Sequence, residues 1–398
     1  MSKKVYKIAY ATGSRADYGI VRNYLFYLNN DDEIDFSVLV TGTHMDERFG
    51  KTVSIIESDG FKIDLKVNLN IDTTSTASVL DSVSIAIKEF GNHFETQEYD
   101  LLIILGDRYE MMAVAQAAAM QKIPILHLHG GEVTYGNYDE FIRHCITKMS
   151  RFHFASTEIY KNRIIQMGES PETVFNMGAL GAENCTCIDE KNVCDKVREL
   201  AEKKYFVVAF HPETLTNIDL NEQVEIVVKA LSTLQKQYEI VLIGTNADTK
   251  SNVIRNKWLD FAEQSNVHYI ENLNVDSYLF LVKNSICLIG NSSSGIIEAP
   301  SLGTYSINIG DRQKGRVHGN SVIDVMCDEK AIISAIETVI ANIEKEVAFD
   351  NPYYKENTAK RCYQKTKELL KRDLSGPKEF FDICKYGNSY GAVYYSDS

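Results

Sequence analysis

The sequence predicts an α/β protein built from two Rossmann-like domains that face a cleft. Short apolar runs rich in β-branched residues alternate with helical patterns, as in parallel sheets covered by helices. The alternation pauses once, over a polar stretch from Glu183 to Lys204, and then begins again. In both halves, polar or glycine-containing segments follow the strand candidates, where α/β proteins bind ligands beyond the carboxyl ends of their strands. A length of 398 residues suits two or three domains of about 150 residues each. The expected division is a first domain over 1–182, a second over 205–375, and a C-terminal segment over 376–398.

Taken in order, Val5 to Ala11 reads as the first strand, followed by Thr12-Gly13-Ser14-Arg15-Ala16-Asp17-Tyr18-Gly19 and a helical pattern over Ile20 to Leu28. A glycine-containing loop entering a helix offers N–H groups to an anion, and Arg15 adds a fixed charge. The loop is not G-x-G-x-x-G and has no P-loop lysine, which argues against ordinary dinucleotide and ATP sites. A second strand, Phe36 to Val40, runs into Thr41-Gly42-Thr43-His44, and a helix is expected over Glu47 to Asp59. Alone, His44 reads as a polar rim residue; its place at a strand end sets it beside the other candidates. The Ser/Thr-rich segment over 72–84 reads as a loop capping a long helix that runs towards Phe94.

Leu101 to Leu105 and Ile123 to Leu128 read as buried parallel strands joined by a helix over Tyr109 to Gln121. Gly106-Asp107-Arg108 follows the first, and His127-Leu128-His129-Gly130-Gly131-Glu132 ends the second, so that Asp107 and Glu132 are placed to face one pocket. Asp139 follows at the expected start of a helix, with Arg143 one turn along the same face. A single carboxylate at a strand end is more often a cap or an ion-pair partner. Three of them among several cations favour proton-transfer chemistry. Arg151 to Ser156 and Val174 to Met177 complete the strands of this half.

In the second half the strand candidates are Tyr205 to Phe210, Ile240 to Ile243, Val267 to Ile270, Ile286 to Ile289 and Tyr305 to Ile309. Helical runs lie at Leu220 to Tyr238, Val253 to Gln264, Val275 to Lys283 and Gly295 to Leu302. The strand ends carry His211-Pro212-Glu213-Thr214, Gly244-Thr245-Asn246 and Gly290-Asn291-Ser292-Ser293-Ser294-Gly295. One serine suffices for an N-cap, so a run of three favours a diphosphate site. Glu298, a turn further on, is placed to accept hydrogen bonds from a ribose, and Asp311-Arg312-Gln313-Lys314-Gly315-Arg316 supplies local positive charge. Beyond Val322 to Met326 the chain reads as helical over Ile332 to Ile343 and Asn357 to Lys371, and Gly387 to Ser398 reads as a loose tail.

Composition narrows the function. With 42 basic against 55 acidic residues the net charge is -13, which excludes a general affinity for nucleic acid. No apolar run approaches the ~20 residues needed to span a bilayer, and Met1 to Ala11 lacks the pattern of a signal peptide, so a soluble cytoplasmic protein without membrane insertion is expected. The eight cysteines are scattered, and Cys185, Cys187 and Cys194 lack a fourth partner at zinc spacing. Neither a structural metal nor a cofactor is expected.

TGSRADYG, GDRYE, HLHGGE, NYDEFIRH, FHPET, IGNSSSG and NIGDRQKGR occur in this order. Together they closely resemble the hydrolysing UDP-N-acetylglucosamine 2-epimerases of bacterial sialic acid capsule synthesis, the NeuC type, from about Val5 to Ile383. The resemblance implies the glycosyltransferase B arrangement, with sugar contacts and catalytic carboxylates on the first domain and UDP on the second. It implies conversion of UDP-N-acetylglucosamine and water to UDP and N-acetylmannosamine, by anti elimination to 2-acetamidoglucal and then hydration, as the first step of sialic acid synthesis. By the same resemblance Asp107, Glu132 and Asp139 are catalytic, and Arg15, Arg108, His211, Ser292, Ser293 and Arg312 hold the diphosphate. Asn246 and Glu298 lie at nucleoside positions, and His44, His127 and Arg143 line the sugar side. The implied partner is a UDP-sugar substrate, and relatives are commonly homo-oligomers.

Non-hydrolysing relatives carry GDT and an EAGLR-like segment where this chain has Gly106-Asp107-Arg108 and His129-Gly130-Gly131-Glu132, so the sequence sides with hydrolysis. The animal bifunctional enzyme has an acidic residue where His129 stands, which leaves the role of His129 open. Two alternatives stand beside this reading: a hydrolysing 2-epimerase acting on UDP-N,N'-diacetylbacillosamine in legionaminic acid synthesis, and a metal hydrolase. The latter would use His127 and His129, two residues apart on a strand, with Asp107 and Glu132 as further ligands.

Overall fold

The computed structural model describes residues 4–383 except 73, 217, 235–236, 246–249, 344–347 and 375. The expected tail from Gly387 and the candidate Asn246 lie outside the described residues. The first sheet contains β1 (Tyr6–Thr12), β2 (Ile34–Val40), β3 (Ile63–Lys66), β4 (Leu101–Leu105), β5 (Ile125–Leu128), β6 (Phe152–Ala155) and β7 (Val174–Asn176), in the order β3-β2-β1-β4-β5-β6-β7. The second contains β8 (Tyr205–Ala209), β9 (Glu239–Ile243), β10 (Val267–Ile270), β11 (Cys287–Gly290), β12 (Tyr305–Ile309) and β13 (Val322–Val325), in the order β10-β9-β8-β11-β12-β13. Every strand pair is parallel. The central strands β4 and β8 are buried along their whole length, which is why they read as unbroken apolar runs.

The helices are α1 (Arg15–Asn29), α2 (Val53–Ser58), α3 (Thr76–Thr96), α4 (Tyr109–Met120), α5 (Asp139–Met149), α6 (Glu158–Gln166), α7 (Leu180–Asn184) and α8 (Asp195–Ala201) in the first half. They continue as α9 (Leu220–Ser232), α10 (Ser251–Phe261), α11 (Val275–Lys283), α12 (Ser294–Ile297), α13 (Glu329–Asn342) and α14 (Thr358–Leu369). Among the described residues no helix is long and apolar enough to cross a membrane. One face of the first sheet packs under α1 and α2, through Tyr18, Val21, Leu25 and Ile56; the other packs under α3 and α4, through Phe90, Phe94, Met111 and Val114.

Several elements differ from the sequence expectation, each for a local reason. The helix expected over Glu47 to Asp59 is broken, because Gly50 and Lys51 take left-handed backbone with φ of 84° and 44°, leaving a short turn at Glu47–Phe49 before α2. Most of the Ser/Thr-rich segment belongs to α3 itself, since Ser75 Oγ accepts from Ser78 N at 3.1 Å and starts the helix there. The edge strand β3 alternates Ile63 and Leu65 with Asp64 and Lys66, a pattern too short and polar to stand out. The helix expected over Gly295 to Leu302 divides into α12 and a tighter turn at Ala299–Leu302 that contains Pro300. The last helix also differs from the expected 205–375 domain: α14 lies against α1, and its Ala359, Cys362 and Leu369 join the core of the first sheet. Tyr24 Oη and Thr366 Oγ1 meet there at 2.7 Å in a buried hydrogen bond.

In each sheet the strand order reverses at one place, between β1 and β4 and between β8 and β11. The crevices beyond those strand ends are where α/β sheets take their ligands. Arg15 follows β1, Asp107 follows β4, His211 follows β8 and Ser292 follows β11.

Candidate active site

A cavity of about 180 Å³ lies where the two halves meet, lined by Arg15, Gly181, Asn184, His211, Tyr278, Ser292, Ser293 and Glu298 among others. Arg15 reaches it because Ser14 caps α1, accepting from Asp17 N at 3.2 Å, so that the helix begins at the arginine and the expected loop is short. Burial lowers the Arg15 pKa to about 10, and its buried Nη1 has no hydrogen-bond partner among the described residues.

Across the cavity, Gly290 has φ of 139°, and a Cβ there would stand 2.0 Å from Ala209 O. Glycine thus lets the end of β11 pass against the end of β8. The pairing is locked by Asn291, whose Oδ1 accepts from His211 N at 2.7 Å and whose Nδ2 donates to His211 O at 2.9 Å. Asn291 O in turn accepts from Arg312 Nη1 at 3.0 Å and Gln313 Nε2 at 2.8 Å, which docks Arg312 beside the serines. Arg312 Nε is buried without a partner among the described residues. Ser292 Oγ accepts from Ser294 N at 3.3 Å, and the side chain of Ser293 makes no capping bond. Glu298 is 8 % exposed, and burial pushes its pKa up to about 7 against the opposing influence of His129 and Arg316.

The carboxylates lie on the first-sheet side. Asp107 follows Gly106, whose φ is 78°, and accepts a short hydrogen bond from Arg143 Nη2. Arg143 is buried and also donates to Glu132 O at 3.0 Å and Thr134 Oγ1 at 3.2 Å, so it ties the ends of β4 and β5 to α5. Asp139 opens α5 as expected and accepts from Asn137 Nδ2 at 3.0 Å. Glu132 is 1 % exposed, with Oε2 at 2.7 Å from Arg316 Nη2 and Oε1 accepting from Ser156 Oγ at 2.7 Å and His129 Nδ1 at 3.0 Å. Burial alone would raise its pKa, but Arg316, then His129 and Ser156, hold it down to about 2.

Two expected sugar-lining residues lie deeper than that. His44 is fully buried, with Nε2 at 3.1 Å from Thr12 Oγ1 and Nδ1 at 2.9 Å from Thr52 Oγ1. His127 is fully buried, with Nε2 at 2.7 Å from Gly106 O and Nδ1 at 3.1 Å from Thr147 Oγ1. Burial foremost lowers their pKa values, to about 4 and about 3, so both are neutral braces beneath the strand ends. Arg108 is on the site side, but its Nε pairs with Glu110, which is itself buried against Gly13.

The rival metal set does not assemble. His129 lies past the end of β5 with φ of 64°, so the strand alternation that would align it with His127 is lost. Both nitrogens of His127 are engaged, Asp107 faces Arg143 and Glu132 faces Arg316. Among the described residues no group of three or more His, Cys, Asp or Glu is arranged to hold a metal ion.

The lips of the cleft are joined. Thr214 N donates to Asn137 Oδ1 at 2.9 Å, Tyr138 N donates to Thr214 Oγ1 at 2.9 Å, and the Glu132–Arg316 ion pair crosses between the halves. Arg316, Asn291 and Tyr278 were not singled out as site residues from the sequence. The basic run ending in Arg316 was the available signal for the first and the serine-rich motif that contains Asn291 for the second; nothing local marks Tyr278.

Two parallel sheets facing across such a cleft make the glycosyltransferase B class of fold. The chain belongs to the UDP-N-acetylglucosamine 2-epimerase family, whose model matches residues 27–367. It is 46% identical over 390 residues to the polysialic acid biosynthesis protein P7 of Escherichia coli, covering 96% of this chain and 99% of that protein. It is 37% identical to the GDP/UDP-N,N'-diacetylbacillosamine 2-epimerase (hydrolyzing) of Campylobacter jejuni, over 81% of this chain and 85% of that one. Among solved structures, the UDP-GlcNAc 2-epimerase from Neisseria meningitidis bound to UDP-GlcNAc is similar in fold. Its TM-score is 0.75 at 21% identity, over 92% of this chain and 100% of that one.

Proposed function

We propose that the chain hydrolyses UDP-N-acetylglucosamine with inversion at C2, giving UDP and N-acetylmannosamine for sialic acid synthesis. The observation that carries this reading is a pair of buried arginine donors without partners among the described residues: Nη1 of Arg15, which lines the cavity, and Nε of Arg312, whose Nη1 is bonded to Asn291 O next to the lining residue Ser292. Unpaired buried donors on fixed charges are costly unless an anion fills them, and a diphosphate does so. Ser292 and Ser293 add hydroxyls on the same wall. Glu298, with a pKa near neutrality, accepts from the ribose hydroxyls, and His211 closes the site beside the diphosphate.

Elimination across C1 and C2 requires a base for the C2 proton and stabilisation of the departing diphosphate. Arg15 and Arg312 serve the second need, and a closed cleft strengthens them. Asp107, Asp139 and the Glu132–His129 pair form the proton-handling side, with Arg143 holding Asp107 in place. Hydration of the glycal then adds hydroxyl at C1 and a proton at C2 from the face opposite the one that lost it. The Gly106-Asp107-Arg108 and His129-to-Glu132 segments support hydrolysis over reversible epimerisation. The likeness to a hydrolysing diacetylbacillosamine epimerase supports a second substrate reading, UDP-N,N'-diacetylbacillosamine.

Incubation of the pure protein with UDP-N-acetylglucosamine alone tests the reading. UDP and free N-acetylmannosamine are expected without added metal, nicotinamide or acceptor sugar. Stable UDP-N-acetylmannosamine, or a requirement for an acceptor, overturns it. A parallel incubation with UDP-N,N'-diacetylbacillosamine decides the substrate by the larger kcat/KM.

A further inference from the structure

The Glu132 side chain, expected from sequence to move protons, has both oxygens occupied, and its low pKa makes it a poor base at neutral pH. The neighbouring ring is in the opposite condition. His129 Nδ1 is bonded to Glu132 Oε1, whereas His129 Nε2 is buried and has no hydrogen-bond partner among the described residues. An ionised carboxylate only accepts, so the proton they share sits on Nδ1 and the neutral ring carries its lone pair on Nε2.

The backbone is shaped to produce this pair. His129 takes a left-handed conformation with φ of 64°, an uncommon state for a residue with a side chain, and its N–H is anchored to Phe154 O at 2.9 Å. Gly131 has φ of 75°, and a Cβ there would stand 2.5 Å from Tyr160 O. The turn folds Glu132 back onto the residue three before it. Glu132 is bonded to the ring and Arg316 pairs with the same carboxylate, while Glu298, on the wall of the cavity, and His127 lie within electrostatic reach of it. His129 therefore belongs to the carboxylate side of the cleft and lies within electrostatic reach of the cavity wall.

We propose that His129, held by Glu132, is the base that takes the C2 proton of the bound hexosamine. The Nε2 lone pair accepts the proton, and the C2–H electron pair becomes the C1=C2 bond. The C1–O bond breaks, with its pair leaving on the diphosphate oxygen. The imidazolium so formed lies against the Glu132 carboxylate, which stabilises it, and it loses the proton to solvent before the glycal is hydrated. Glu132 is then a positioning residue. This assignment rests on the elimination reading above.

The test uses His129→Asn, whose amide still donates to Glu132 but offers no lone pair at the Nε2 position. UDP release from the UDP-sugar consumed by the parent is expected to fall a hundredfold or more, with UDP affinity by calorimetry within threefold of the parent. Hydration of supplied 2-acetamidoglucal is expected to continue near the parent rate. In Glu132→Gln the ring survives without its countercharge, so the acid limb of the kcat/KM profile is expected at lower pH than in the parent. Turnover of His129→Asn within tenfold of the parent overturns the proposal. So does a loss of glycal hydration in step with elimination, or an unmoved acid limb in Glu132→Gln. A parent that releases no UDP from either UDP-sugar rejects the elimination reading itself, whereas an active parent with an active His129→Asn rejects only the base.

Discussion

Glu298 holds its proton to an unusual pH because it is buried on the cavity wall, and this has a measurable consequence for stability. Its folded pKa is about 7, against about 4.3 for an unfolded glutamate. The folded state therefore binds the extra proton between those values, so the stabilisation is complete below the unfolded pKa and is lost as pH rises through about 7. Glu298→Gln removes the effect. Between pH 5 and pH 8 the parent should lose stability relative to the variant by on the order of 2 to 3 kcal/mol, read as a difference in thermal denaturation. A difference that stays flat with pH would mean that the carboxylate is ionised throughout. Single residues were legible in the sequence where position alone decided them: Arg15, His211, Ser292 and Ser293 follow strands, Glu298 ends the short helix after the serines, and all five gather on one cavity. His44 and His127 were legible as strand-end residues but not as buried braces. Their partners Thr12, Thr52 and Thr147 come from other parts of the chain, and no local pattern announces them.

Elements follow the same division between local and distant causes. The strands β10 and β12 and the helix α11 match their sequence boundaries, since polar residues or glycine mark both ends of each: Asn266 and Glu271, Thr304 and Gly310, Asn274 and Asn284. The helix α14 was legible as a helix because Ala359, Cys362, Thr366 and Leu369 recur at helical spacing, yet that spacing says nothing about which sheet receives them. The structure places them on the first, beyond the whole second domain. If this contact belongs to the first core, Leu369→Ala should cost ~2 to 5 kcal/mol, as expected for a fully buried leucine. Chemical denaturation measures it. A cost below ~1 kcal/mol would place α14 outside that core.

The whole molecule works through the meeting of its halves. Arg15 and the carboxylates come from the first half, and Arg312, Arg316, His211 and the serines come from the second. Neither half alone holds both an anion site and a proton-handling group, and the Glu132–Arg316 pair binds one to the other. The two-domain plan was legible from the repeated strand and helix alternation. The closed contacts between Asn137 and Thr214 were not, because they depend on how two separately folded sheets come to rest. Elimination followed by hydration makes one demand that plain hydrolysis does not: the hydrogen at C2 must be lost and replaced. The direct measurement is turnover of UDP-N-acetylglucosamine in D2O, with the free sugar analysed by proton NMR. The mechanism argued above predicts N-acetylmannosamine carrying deuterium at C2, and free N-acetylglucosamine that keeps its C2 hydrogen would contradict it.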